Sequence, residues 1–112
     1  MLEHKNPLIL AFIGDAVHTL RIRQELATQD LKVGDLHKIA SQQCCASAQA
    51  KELDVLYETF TETEKEIANR ARNAKYNTIP KSCTLVEYQK ATALEAVLGY
   101  RYLSNLGKNA NG

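Results

Sequence analysis

Residues 10–23, LAFIGDAVHTLRIR, have the pattern of an apolar helix, but a glycine and an aspartate interrupt its middle. Gly14 costs such a helix about 1 kcal/mol relative to alanine. Asp15 places a charge beside residues that are suited to burial. Since Gly14 and Asp15 are both unfavourable for the helix itself, they are expected to serve either in packing against another helix or in chemistry.

The helix that contains this stretch is predicted to cover residues 7–27. Asn6 is a good N-cap, and Pro7 suits the first helical position. Apolar side chains then recur with a helical period. They are Leu8, Ile9, Phe12, Ile13, Ala16, Val17 and Leu20.

Four further helices are predicted along the chain, and no stretch has the alternation of a strand. Asp35 is a candidate N-cap for a helix over 36–45, and another helix is expected over 47–60. The capping boxes TETE at 61–64 and TLVE at 84–87 begin the last two. Residues 73–83 form a loop between these two helices. The sequence therefore predicts a single all-α domain over residues 1–112.

The predicted end of the last helix is near Leu106. Gly107 is a plausible C′ residue there, since glycine commonly follows the last helical turn. Residues 107–112 are accordingly expected to form a frayed tail.

The composition is that of an ordinary soluble domain, with 45% hydrophobic and 24% charged residues and a net charge of +1. The net charge does not indicate a nucleic-acid partner. Evidence for such a partner must therefore come from local clusters of basic residues. The three cysteines, Cys44, Cys45 and Cys83, fit a reducing compartment and are expected to be small buried residues. No apolar run approaches the ~20 residues that span a bilayer. The N-terminus lacks a signal-peptide layout. The sequence predicts a cytoplasmic protein with no membrane partner.

Two acids stand out because small or apolar residues surround each of them on its helix. Asp15 follows Gly14, and Glu95 lies four residues before Gly99 in ATALEAVLGYRYL. Glycines allow two helix backbones to approach closely. If the first and last helices pack together, the two carboxylates can face each other across a narrow gap.

Two close carboxylates repel, so one of them becomes protonated unless a cation lies between them. Mg²⁺ is a suitable cation because it binds one or two carboxylates together with waters and phosphate oxygens. The alternative is that each acid points to solvent or caps a backbone group, and helical acids are usually surface residues. The spacing alone leaves both interpretations open.

The segments LAFIGDAV, LHKIA, RARNAK, PK and ATALEAVLGYRYL occur in this order and at similar spacing in the Mini-ribonuclease III family, which the chain resembles over residues 6–106. That family resembles the catalytic domain of ribonuclease III without its double-stranded-RNA-binding domain. The resemblance implies an all-α, ribonuclease III-like endonuclease fold and a homodimer. It also implies hydrolysis of double-stranded RNA with Mg²⁺, or with Mn²⁺ in its place, to leave a 5′ phosphate and a 3′ hydroxyl.

The resemblance further implies that Asp15 and Glu95 are the catalytic, metal-binding acids. It implies that the substrate is a precursor of large-subunit (23S) ribosomal RNA. Full-length ribonuclease III has two further acids at the positions of Ala11 and Thr92, which this chain lacks. We therefore expect one well-held Mg²⁺ per subunit.

The segment NRARNAKYNTIPK contains four cations and no acid. Double-stranded RNA is recognised mainly through phosphates and 2′-hydroxyls, for which these side chains are suitable donors. The alternative is a solvated helix end whose arginines suit the helix dipole. The predicted RNA-binding residues are Arg70, Arg72, Asn73, Lys75 and Lys81.

Two other side chains, Phe12 and His18, have two interpretations each. Phe12 is either a dimer anchor, as the resemblance implies, or a core residue. His18 lies one turn from Asp15 and is either near the metal's waters or an ordinary packed histidine. His37 is expected to be structural.

At the level of function, the alternative to a nuclease is a non-catalytic RNA-binding or ribosome-associated domain of the same fold, in which the acid pair is a relic.

Overall fold

The computed structural model describes residues 2–75 and 78–111, and for residues 108–111 it describes the backbone alone. Five helices account for most of this part of the chain. They are α1 (Pro7–Ala27), α2 (Val33–Cys44), α3 (Ala46–Leu56), α4 (Glu62–Arg72) and α5 (Leu85–Asn111). Short 3₁₀ turns cover Leu2–His4 and Tyr57–Thr59. The described residues contain no strand, which confirms the all-α prediction.

Three of the helices begin where local sequence signals predict. Asn6 Oδ1 accepts a hydrogen bond from the Leu8 amide at 2.9 Å, directly before α1. In TETE, the Glu64 amide donates to Thr61 Oγ1 at 3.1 Å, and the Thr61 amide donates to the Glu64 carboxylate at 2.9 Å. TLVE makes the same reciprocal pair before α5. Both predicted capping boxes are therefore confirmed.

Three predicted helix boundaries are wrong. The helix expected over 47–60 ends at Leu56, and a 3₁₀ turn follows over Tyr57–Thr59. Asp35 is not an N-cap, because α2 begins at Val33 and Asp35 lies within its first turn. A carboxylate in the first turn interacts favourably with the positive end of the helix dipole. An acid inside the first turn therefore gives nearly the same sequence signal as an acid at the N-cap. At the other end of the chain, α5 does not stop at Leu106 but continues through Gly107 to Asn111. The predicted fraying of 107–112 stays a prediction, and Gly112 lies outside the described residues.

The core forms around α5, which packs against α1, α3 and α4. The large, fully buried side chains of the core come from all four of these helices. The core therefore joins segments that are distant in sequence. These side chains are Leu10, Leu53, Ile67, Leu94 and Val97. No helix of the described residues is long and apolar enough to cross a membrane.

The closest packing in the protein is between α1 and α5, at the two glycines. A methyl group on Gly14 would overlap the backbone carbonyl of Glu95. A methyl group on Gly99 would overlap the carbonyl of Leu10 and approach the Gly14 amide to 3.0 Å. Each glycine therefore makes room for the partner helix's backbone, and this contact offsets the cost of Gly14 to its own helix.

Candidate active site

The two acids that were singled out in the sequence meet at the α1–α5 contact. Gly14 lies against the backbone of Glu95, and the Asp15 and Glu95 side chains line the same cleft, close enough for Asp15 to raise the pKa of Glu95. Burial, and then the neighbouring Asp15, raise the pKa of Glu95 to about 8, while a hydrogen bond from Gln49 acts in the opposite direction. The expected approach of the two carboxylates is therefore present.

This arrangement is suited to a hard divalent cation. Burial, and then the nearby Asp15, disfavour the ionised form of Glu95, which is why its pKa is raised. A cation between the two carboxylates would remove the repulsion between them, and carboxylate oxygens are the ligands that Mg²⁺ prefers. Asp15 and Glu95 are thus the side chains that could hold such an ion.

The acids lie in the wall of a cleft of about 660 Å³ that opens to solvent. Its walls come from the first half of α1, the start of α3, Lys75, residues 78–83 and the first half of α5. The volume is in the range that ligand sites occupy. The lining includes Leu8, Phe12, Cys45, Ala46, Lys75, Thr78, Pro80, Ser82, Cys83 and Tyr88.

Ala11 and Thr92, which occupy the positions of the two missing acids, also line this cleft. Both are buried, and the Thr92 hydroxyl donates to the backbone carbonyl of Tyr88 at 2.8 Å. Among residues 2–75 and 78–111, no three or more histidine, cysteine or acidic side chains form a cluster that could hold a metal. Among the described residues, Asp15 and Glu95 are the acidic side chains that line this cleft.

Behind Glu95 lies a chain of polar side chains that the sequence analysis missed. The Gln49 amide nitrogen is 3.4 Å from Glu95 Oε2 and 3.4 Å from His18 Nδ1. His18 Nε2 is 3.0 Å from the Glu52 carboxylate, and the His18 side chain is 3% exposed. Both ring nitrogens are thus occupied by protein groups, in agreement with the packed interpretation of His18. A signal was available, because Gln49 is a polar residue on the helix face of Ala46 and Leu53.

The five predicted RNA-binding residues do not lie together. Lys75 lines the cleft with the acids, and Lys81 is exposed between two cleft-lining residues. The Arg70 guanidinium instead donates to the backbone carbonyl of Glu3. Arg72 and Asn73 line a second groove, which α4 forms with α3 and α5. The cations at the end of α4 therefore point in different directions, and Lys75 is the one in contact with the cleft.

Phe12 is 78% exposed and lines the edge of the cleft, so its interpretation as a core residue is wrong. Ile9 and Leu20, on the same helix, are 48% and 54% exposed. One helix thus presents several large apolar side chains to solvent, while the dimer interpretation of Phe12 stays a prediction.

The cysteines are less buried than expected. Cys45 is exposed, Cys44 and Cys83 are half-buried, and all three are free thiols. Cys45 and Cys83 both line the cleft. Their small, partly polar side chains therefore form part of its wall.

The sequence of this chain is similar to those of known proteins. A family profile described as "Ribonuclease III domain" matches residues 8–106. A Mini-ribonuclease 3 from Thermoanaerobacter sp. (strain X514) is 45% identical over 88% of this chain and 70% of that protein. A Mini-ribonuclease 3 from Staphylococcus aureus is 39% identical over 88% of this chain and 75% of its own length.

A solved structure is also similar. A crystal structure of a protein from Fusobacterium nucleatum superposes with a TM-score of 0.85 at 34% identity, and it covers 96% of this chain and 87% of that one. The region matched by the family profile includes both acids and all the helices that form the cleft.

Proposed function

Because this chain belongs to the Ribonuclease III domain family, within its Mini-ribonuclease III group, we propose that it cleaves double-stranded RNA with Mg²⁺ bound by Asp15 and Glu95. Membership of the family makes it an RNA-cleaving nuclease. The observation that supports the finer proposal is the placement of the two acids together in the wall of an open cleft, where Asp15 raises the pKa of Glu95.

The chain's own residues account for how the site would prepare the reaction. Asp15 and Glu95 supply the negative charge that holds the cation, and Gln49 donates to the Glu95 carboxylate. Mg²⁺, when bound, supplies the activation of a water and the polarisation of the scissile phosphate. Water adds to phosphorus and the bond to the 3′ oxygen breaks, so the products carry a 5′ phosphate and a 3′ hydroxyl. Lys75, in the wall of the cleft, would contact a backbone phosphate near the acids.

The most direct test is cleavage of a long double-stranded RNA by the purified protein, with Mg²⁺ present and with Mg²⁺ removed by a chelator. We expect shortened duplexes in the first case and intact RNA in the second, with Mn²⁺ able to replace Mg²⁺. RNA binding without cleavage in all these conditions would instead favour a non-catalytic RNA-binding or ribosome-associated domain. The replacement of the two further acids of ribonuclease III by Ala11 and Thr92 is the feature that favours that second candidate.

The natural substrate that we propose is a precursor of large-subunit (23S) ribosomal RNA in the cytoplasm. The support is the similarity to the Mini-ribonuclease III family. Mapping the RNA ends that the protein generates on a precursor transcript tests this directly. Cuts at the mature ends are expected, and cuts scattered along the precursor would contradict the proposed substrate.

The basic residues are expected to act by contacting phosphates, since such contacts are independent of sequence and weaken with salt. Replacing Arg72 and Lys75 together by alanine should raise the RNA concentration needed for cleavage far more than it lowers the rate at saturation. The salt dependence of binding should flatten, with a slope change of about one for each lost contact. Filter binding at several salt concentrations measures this slope.

The single variants separate the two positions. Since Lys75 lines the cleft and Arg72 lines the second groove, Lys75→Ala is expected to cause the larger loss of affinity. Lys38→Ala, at an exposed position on α2, is the control and should leave the slope unchanged. An unchanged slope in the double variant would show that these cations are only solvated. Loss of the saturated rate with intact binding would place one of them at the scissile phosphate.

We also propose that the protein is a homodimer, because cutting two strands requires two sites and α1 leaves large apolar side chains exposed. Phe12→Ala should weaken the dimer, since this 78%-exposed ring would lose its buried position between subunits. Sedimentation over a range of concentrations gives the dissociation constant. Val55→Ala, on α3 and 77% exposed, is a matched control that should leave the dimer unchanged. A wild-type monomer at micromolar concentration would contradict the proposal.

A further inference from the structure

Four polar side chains from α1, α3 and α5 form one hydrogen-bonded chain that ends at Glu95. It runs from Glu52 through His18 and Gln49, with separations of 3.0, 3.4 and 3.4 Å. Its two middle members are buried, while Glu52 at the far end is partly exposed. The chain therefore links a carboxylate near solvent to one of the two proposed metal-binding acids.

With a neutral His18 and an ionised Glu52, one assignment of donors and acceptors satisfies the side chains from Glu52 to Gln49. An ionised Glu52 can only accept, so His18 Nε2 carries the proton and donates it. In the neutral ring, Nδ1 is then an acceptor and receives one N–H of the Gln49 amide. The second N–H of the same amide group is directed to Glu95 Oε2. Every donor in the chain thus faces an acceptor.

The orientation of the Gln49 amide group depends on which nitrogen of His18 carries the proton. If the amide were flipped, its carbonyl oxygen would face His18 Nδ1, which is an acceptor in the tautomer that donates to Glu52, and the amide would offer no N–H to Glu95 Oε2. Since these contacts lie in a buried environment, unmatched acceptors would be costly. The His18 tautomer, set by Glu52, therefore determines that Gln49 presents N–H to Glu95.

We propose that Gln49 is a positioning residue for Glu95, and that His18 and Glu52 hold it in the donating orientation. The amide would hold the Glu95 carboxyl group in one orientation, which positions this acid for a divalent cation. The consequence for cleavage rests on the proposed nuclease function, whereas the consequence for metal binding does not. A purely structural cluster would stabilise the fold without affecting the metal.

The decisive variant is Gln49→Leu, which keeps a side chain of similar size and removes both N–H donors. Mn²⁺ alone is the probe, and its free concentration is followed by electron paramagnetic resonance. We expect the Mn²⁺ dissociation constant to rise by about 10- to 100-fold, the usual effect of losing a group that orients a metal ligand. In cleavage assays the rate at saturating RNA should fall, while KM for RNA stays within about twofold.

Two further comparisons separate positioning from packing. Gln43→Leu, at an exposed position on α2, is the matched control and should retain wild-type Mn²⁺ affinity. His18→Asn keeps an oxygen acceptor near the position of Nδ1, whereas His18→Leu does not. The asparagine variant should therefore retain more of the Mn²⁺ affinity than the leucine variant, although both lose the bond to Glu52.

The tautomer provides a readout that needs neither metal nor RNA. Nitrogen-15 NMR of the imidazole should show the proton of His18 on Nε2 in the wild-type protein. Glu52→Gln, at a partly exposed position that is expected to tolerate substitution, should reduce the population of that tautomer. It should also weaken Mn²⁺ binding, but by less than Gln49→Leu does. This variant carries the test if Gln49→Leu does not fold.

The outcomes distinguish the two proposals. Unchanged Mn²⁺ affinity in folded Gln49→Leu, or a proton on Nδ1 of His18 in the wild type, would overturn the positioning role. A wild-type protein that binds Mn²⁺ in a Gln49-dependent way without cleaving RNA would overturn the nuclease function and retain the positioning role. A wild-type protein that binds no Mn²⁺ would contradict both.

Discussion

Asp15→Asn and Glu95→Gln are each expected to abolish cleavage of double-stranded RNA while the fold and RNA binding remain. Each exchange removes one of the two carboxylates at the site, and within residues 2–75 and 78–111 no cluster of three or more ligating side chains could replace it. An amide has almost the shape of a carboxyl group but lacks the charge that holds a divalent cation. The loss should exceed the ~10- to 100-fold that follows from removing an outer-shell partner.

The structure also explains why these variants should fold. In the metal-free site the pKa of Glu95 is about 8, so at pH 7 the protein already holds this side chain protonated. Glutamine closely matches a protonated glutamic acid in shape, and it avoids the cost of a buried charge. Thermal unfolding of the metal-free Glu95→Gln variant should therefore occur at or above the wild-type temperature.

Single-turnover cleavage at saturating RNA, together with filter binding of the same RNA, measures the two expectations separately. Asp35→Asn, at an exposed position in the first turn of α2, is the matched control and should cleave at the wild-type rate. Substantial Mg²⁺-dependent cleavage by Asp15→Asn or Glu95→Gln, with contaminating nucleases excluded, would show that the altered acid is not catalytic.

The largest effect on stability is expected from Gly14→Ala and Gly99→Ala. In both, the new methyl group would occupy the place of a backbone carbonyl on the partner helix, so α1 and α5 must separate. Overpacking a core costs about 1–3 kcal/mol, and contact with backbone rather than a movable side chain should place these variants at the upper end. The gain of about 1 kcal/mol in helix propensity offsets part of this cost.

Urea denaturation measures the change in the free energy of unfolding. Gly107→Ala is an informative control, because this glycine also lies within α5 but has no atom near its added methyl group. It should be neutral or slightly stabilising. Wild-type stability of Gly14→Ala would mean that the two backbones are not in close contact. Since the same contact holds Asp15 against Glu95, Gly14→Ala should also weaken Mn²⁺ binding.

The sequence by itself determined the features that form within one or two helical turns. The beginnings of α1, α4 and α5 follow from Asn6 and from the two capping boxes, because each signal is a hydrogen bond between residues two or three positions apart. Such bonds form wherever the local residues allow them, whatever the rest of the chain does. The end of α5 was less predictable, since a glycine can continue a helix as well as terminate it.

The pairing of Asp15 and Glu95 was predicted only in part by the sequence. The glycines next to Asp15 and Glu95 indicated that α1 and α5 could approach closely, and the family resemblance assigned the acids a role. Spacing alone favoured a solvent-exposed or capping arrangement, because helical acids are usually surface residues and the periodicity of one helix does not specify which of its faces meets another. The close approach of the two helices at the glycines places both acids in one cleft, where Asp15 is exposed and Glu95 is partly buried.

Only the tertiary structure decided which polar side chains reach the site. Gln49 and His18 are 31 residues apart, and Gln49 and Glu95 are 46 apart, so no local pattern joins them. Conversely, Arg72 and Lys75 are near neighbours in sequence but line different surfaces, because a helix ends between them. Capping is a local hydrogen bond that a few residues specify, whereas the direction of a side chain relative to a distant one depends on how all the helices pack around α5.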